Sequence, residues 1–170
     1  ILSLAVSVWR LAAWHSSPAA AQSDITALED KAVQDAVARV AASVVRIETF
    51  GGLERVGKMV VGVGPTTGLV VAEDGYIISS AFNFAQMPSS ILVTLPNGKR
   101  AAAEIVARDR SRMLVLLKAS TEEKLKVPTA TPRDEMAVGQ WAIAVGRTFA
   151  ADTPNISVGV LAARNRIWGK

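Results

Sequence analysis

The sequence predicts an all-β domain behind one N-terminal helix, on three observations. From Ser43 onward, short runs rich in Val, Ile, Leu and Ala follow one another at strand length: "SVVRIETF", "GLVVA", "YIISS", "ILVTL", "AAAEIVA", "LVLLKA", "WAIAVG" and "ISVGVLAA". Two of the intervening turns, Asp74-Gly75 and Asn97-Gly98, carry the positive-φ residues that tight hairpins need. Ahead of the runs, Ile25, Leu28, Val33, Ala36, Val37 and Val40 recur at helical spacing, and Asp24 is placed to cap a helix over 25–41. Many short strands joined by glycine-containing turns give an antiparallel barrel or sandwich.

Composition narrows the chemistry. The 170 residues are 50% hydrophobic and 20% charged, which suits a folded domain with a core. Cysteine is absent, so no disulfide, thiol nucleophile or zinc-thiolate site exists, and His15 is the single histidine. No cofactor or metal is expected: no helix follows a G-x-G-x-x-G pattern, and Gly68, Gly75, Gly98, Gly139, Gly146 and Gly159 read as turns and close strand approaches. Gly57, Gly62 and Gly64 read as a flexible loop. The formal charge of +4 would suit an anionic partner, but its densest group, Arg108, Arg110 and Arg112, is broken by Asp109. A solvated face is expected, without nucleic acid. Trp141 lies inside a β-run and is expected in the core, whereas Trp168 is free to contact residues beyond this chain.

Along the chain, residues 1–21 are apolar, lack acids and end in Ala19-Ala20-Ala21, the pattern of a secretory signal peptide. With no initial Met and no basic start, the sequence is expected to begin inside a longer precursor. Arg10 in mid-run counts against both a signal peptide and a spanning anchor; export is the expectation, with membrane contact only through this segment if it is uncleaved. Its removal would take away His15 as well. Residues 22–42 then form the helix, 43–120 a first β-unit, 121–137 a polar, Pro-containing linker, and 138–170 the start of a second β-unit.

Four stretches, in order, resemble the trypsin-like domain of the HtrA (Deg) family of exported serine proteases. "SVVRIETF" resembles its first strand. "TTGLVVAEDGYIISSAFNFA" is similar to G-S-G-F-I-I-x-x-D-G-Y-I-V-T-N-N-H-V-V, with Gly68, Asp74, Gly75 and Tyr76 in place. "ILVTLPNGKRAAAEIVARDRSRMLVLLKA" is similar to a strand, a hairpin and V-x-x-D-x-x-T-D-L-A-V-L-K. "VGQWAIAVGRTF" and "NISVGVLAARNR" are similar to V-G-E-x-V-x-A-I-G-N-P-F and S-V-T-x-G-I-V-S-A-x-x-R. The resemblance implies a trypsin-like double β-barrel, the first barrel complete and the second partial, and it implies a polypeptide or protein partner and trimers.

The resemblance also places the family's catalytic histidine at Phe82 and its aspartate at Met113, while the serine-bearing G-N-S-G-G loop would fall after Lys170. No catalytic residue is therefore expected within the chain. A phenyl ring accepts no proton, and a thioether is a weak acceptor. Ser79, Ser80 and Asp109 lie close by in sequence, but Asp109 matches a non-catalytic family aspartate and reads as a turn residue. Phe82 and Met113 are expected to touch and fill the former site with apolar packing. Three functions follow: a silent peptide-binding or regulatory module, a serine endopeptidase with its nucleophile beyond this chain, or a structural β-domain.

Overall fold

The structure, a computed structural model, describes residues 19–51, 54–56, 59–61 and 64–164. The chain divides into two compact units, with the boundary between Ala32 and Val33. Helix α1 runs Ala19–Ala41 and crosses that boundary. It starts ahead of the expected boundary at 22, and Asp24 lies inside it rather than at its cap. Ala19, Ala20 and Ala21 are strong helix formers and extend the helix upstream of the polar residue. Within the first unit Ile25 and Leu28 are exposed, while within the second Val33, Ala36, Val37 and Val40 are half-buried. The remainder of the signal-peptide reading, residues 1–18, lies outside the described residues.

Six strands of the second unit close into an antiparallel barrel. They are β1 (Val44–Phe50), β4 (Thr66–Val70), β5 (Tyr76–Ser80), β6 (Ser90–Thr94), β7 (Arg100–Asp109) and β8 (Leu114–Ala119). Around the barrel the order is β1-β4-β5-β8-β7-β6, with β6 returning to β1. Closure leaves no sheet edge, and alternation puts one face of each strand inside. Val45 and Ile47 from β1, Val70 from β4, Ile77 from β5, Val93 from β6, and Val115 and Leu117 from β8 are buried in one cluster. Gly68 shows how tight that interior is: a Cβ there would lie 2.6 Å from Ile77 Cγ2 and 2.7 Å from Ile47 Cδ1.

Both expected hairpins form. Gly75 takes φ +100° and Gly98 φ +83°. At Gly75 a side chain would also meet the Ala119 carbonyl at 2.8 Å, because the Gly75 carbonyl accepts from Ala119 N–H at 2.9 Å. Where a glycine-containing loop was expected, β2 (Glu54–Val56) pairs with β3 (Met59–Val61) as a small hairpin. Gly57 and Gly62 lie outside the described residues.

Within residues 121–137 the chain packs on the barrel at Leu125, while residues 129–137 are exposed. Leu125 is buried in the core cluster, and its N–H donates to the Glu73 carbonyl at 2.8 Å. Beyond them, β9 (Trp141–Gly146) and β10 (Asn155–Val160) form a two-stranded antiparallel sheet. Trp141 is 66% exposed, against the expectation of a core position. A two-stranded ribbon has no interior of its own, and no other described strand pairs with it. Trp168 lies outside the described residues.

Candidate functional site

β5 ends at Ser80 and passes into a 3-10 turn, Ala81–Phe84, because Ser80 caps it: the Ser80 hydroxyl accepts from Phe82 N–H at 3.3 Å. β8 begins opposite, with Leu114 paired to Ser80. The Met113 carbonyl accepts from Ala81 N–H at 2.8 Å. The backbones at 82 and 113, far apart in sequence, are thus brought together at one end of the barrel.

The side chains do not pack as expected. Phe82 is 74% exposed and Met113 is 52% exposed, so no buried apolar plug forms between them. The phase of the turn is the reason. Residues advance about 120° each around a 3-10 turn, so Phe82 and Phe84 point in different directions. Phe84 takes the interior seat and is fully buried. Met113 has a second peculiarity: at φ +54° it is the single described non-glycine residue in the left-handed region.

Met113 closes the β7–β8 turn, which Asp109 ties together. Asp109 Oδ1 accepts from Ser111 N–H at 2.9 Å, Ser111 hydroxyl at 2.6 Å and Arg112 N–H at 3.0 Å, and Oδ2 accepts from Arg112 Nη1 at 2.7 Å. Hydrogen bonds from Ser111 first, and then Arg112, hold the Asp109 carboxyl well below the usual carboxylate range. A carboxylate so stabilised is a poor proton acceptor near neutral pH. The other neighbours are equally committed. Ser79 is buried and its hydroxyl donates to the Thr67 carbonyl at 2.8 Å, while Ser80 serves as the cap. Lys118 lies at the other end of β5, paired with Tyr76, where it bonds Asp74 Oδ2 at 2.9 Å. Neither Phe82 nor Met113, the two positions brought together, carries a basic group.

A concavity of about 480 Å³ opens between the 3-10 turn and the β7–β8 turn, lined by Ala81, Ala85, Met87, Arg108, Asp109, Arg110 and Met113. Arg108 braces it: Nη1 donates to the Phe84 carbonyl at 2.6 Å, and Nη2 approaches Met87 Sδ at 3.4 Å.

Thr66 and Thr67, at the start of β4, tie this end of the barrel to the β9–β10 connection. The Thr66 hydroxyl accepts from Asn83 Nδ2 at 2.7 Å, and the Thr67 hydroxyl accepts from Arg147 N–H at 2.9 Å. Arg147 is the residue that sequence reasoning missed. It is 3% exposed, and its guanidinium donates to the carbonyls of Val44 at 3.0 Å, Ala41 at 3.1 Å and Ala151 at 2.5 Å. Burial pushes the guanidinium down from its ordinary value, with Asp152 opposing. In the matched stretch it stands where the family pattern has Asn, and that departure was its one available signal.

A family model described as trypsin-like peptidase domain matches residues 66–170. Curated relatives agree. A probable periplasmic serine endoprotease, DegP-like, of Chlamydia trachomatis is 35% identical over 100 residues, covering 59% of this chain and 20% of the relative. A protein of the same description from Halomonas elongata is 33% identical over 102 residues, with the same shares. Human serine protease HTRA4 is 28% identical over 130 residues, covering 76% of this chain and 27% of the relative. The chain spans about a fifth to a quarter of the length of these relatives.

Proposed function

The chain belongs to the trypsin-like peptidase domain family, as a domain of the HtrA type, and from that premise we propose that it is a non-catalytic module that binds polypeptide in an exported protein. One observation carries the reading: Phe82, in the turn after β5, occupies the position where the family pattern has its histidine, and its neighbour Ala81 bonds the backbone of Met113, where the pattern has its aspartate. Acyl transfer by a serine needs a base in reach and an acceptor to orient it. Neither side chain supplies these, and a serine beyond Lys170 would meet the same two residues. Export is supported by the character of residues 1–21 and by relatives described as periplasmic. Assembly as trimers is part of the same proposal.

The test is turnover against binding. The purified full-length protein is expected to retain fluorescently labelled unfolded casein without cleaving it. Casein hydrolysis blocked by a serine-directed inhibitor would establish the endopeptidase instead. Absence of both cleavage and retention would leave a structural β-domain.

A further inference from the structure

We propose that the concavity beside Met113 docks a polypeptide segment carrying a carboxylate next to a bulky apolar side chain. The inference rests on the polypeptide-binding reading above and adds which polypeptides are chosen. The floor is apolar: Ala81, Ala85, Met87 and Met113 line it, and both methionines are more than half exposed. Methionine adapts its shape to varied partners, which suits an apolar side chain of no fixed outline. Phe82, next to Ala81 in the chain, adds an exposed aromatic ring.

The rim sets the charge. Arg108 and Arg110 line the concavity with one carboxylate, Asp109, whose two oxygens are already occupied by Ser111 and Arg112. Arg110 has no hydrogen bond or ion pair among the described residues, so its guanidinium is available to a carboxylate. The space, about 480 Å³, is that of a small recognition pocket. The Arg110 guanidinium and the apolar floor, with Arg108 already turned to the Phe84 carbonyl and Met87, fit one acidic residue and its apolar neighbour. They do not fit a nucleic acid, whose affinity comes from neutralising many phosphates.

Fluorescence anisotropy on the full-length protein tests this with three labelled hexapeptides of alternating Asp-Leu, Ser-Leu and Lys-Leu. The expected order is Asp-Leu tightest and Lys-Leu weakest, with the Asp-Leu advantage shrinking as salt is raised. Arg110→Glu, a substitution on an exposed turn that leaves the core untouched, is expected to weaken Asp-Leu about fivefold and to spare Ser-Leu. Met87→Ala is expected to weaken both. Equal binding of the three peptides, or no response to Arg110→Glu, overturns the proposal. So does displacement of the Asp-Leu peptide by single-stranded DNA or by phosphatidylglycerol vesicles at lower concentration than unlabelled peptide. Retention of casein without acidic preference would sink this inference alone, whereas inhibitor-sensitive casein cleavage would sink the reading beneath it.

Discussion

Two phenylalanines two residues apart do opposite things. Phe84 is fully buried in the barrel cluster, whereas Phe82 stands in solvent. Phe84→Ala is expected to cost about 3–5 kcal/mol in urea denaturation, since a ring is lost from a packed interior. Phe82→Ala is expected to stay within about 0.5 kcal/mol of the parent. Equal costs would mean that Phe82 packs after all. Met113 makes a different prediction, because its cost is in the backbone. At φ +54° its Cβ crowds the following carbonyl, a strain of roughly 1–2 kcal/mol that Asn tolerates better. Met113→Asn is therefore expected to raise the urea midpoint, by about 0.5–1 kcal/mol in stability. That positions 82 and 113 meet was legible in the order of the matched stretches. The fate of their side chains was not, because it depends on which residue of the turn after Ser80 faces the core, and Phe84 takes that place.

Among elements, the β7–β8 turn is the acid-sensitive one. Asp109 binds protons more weakly in the folded turn than in an unfolded chain, so protonation favours unfolding. Its contribution is complete above the ordinary aspartate value of about 4 and is lost as pH falls toward the folded one. Asp74 beside Lys118 and Glu123 beside Lys99 are lowered too and act in the same direction. Thermal melts from pH 6 to 2.5 are expected to show a falling midpoint, with a shallower fall in Asp109→Asn. The strands themselves were read well because closure of a barrel demands regular alternation, and the Asp74-Gly75 and Asn97-Gly98 turns mark where it stops. The β2–β3 hairpin escaped notice because its strands have three residues each, too few for a pattern. Trp141 was misread for another reason: alternation identifies a strand but not what covers its face.

At the scale of the second unit, Arg147 joins the β9–β10 hairpin to the entry of β1, through carbonyls at Ala41 and Val44. Replacing it by Met fills the space but leaves those carbonyls and that of Ala151 without donors, at an expected cost of about 3 kcal/mol. Arg147→Lys keeps the charge without the planar fork and is expected to recover only part of that loss. Urea denaturation of both variants checks the order. Nothing in residues 43–50 announced such a partner, since an Arg in an apolar run reads as an exposed charge until the chain is folded. Arg147 also bears on the order in which the molecule is made. Every strand of the barrel lies between Val44 and Ala119, upstream of it. On a ribosome, then, the six strands have all been synthesised before the guanidinium that anchors the entry of the first of them. The beginning of the barrel is the first part translated and the last to be fastened.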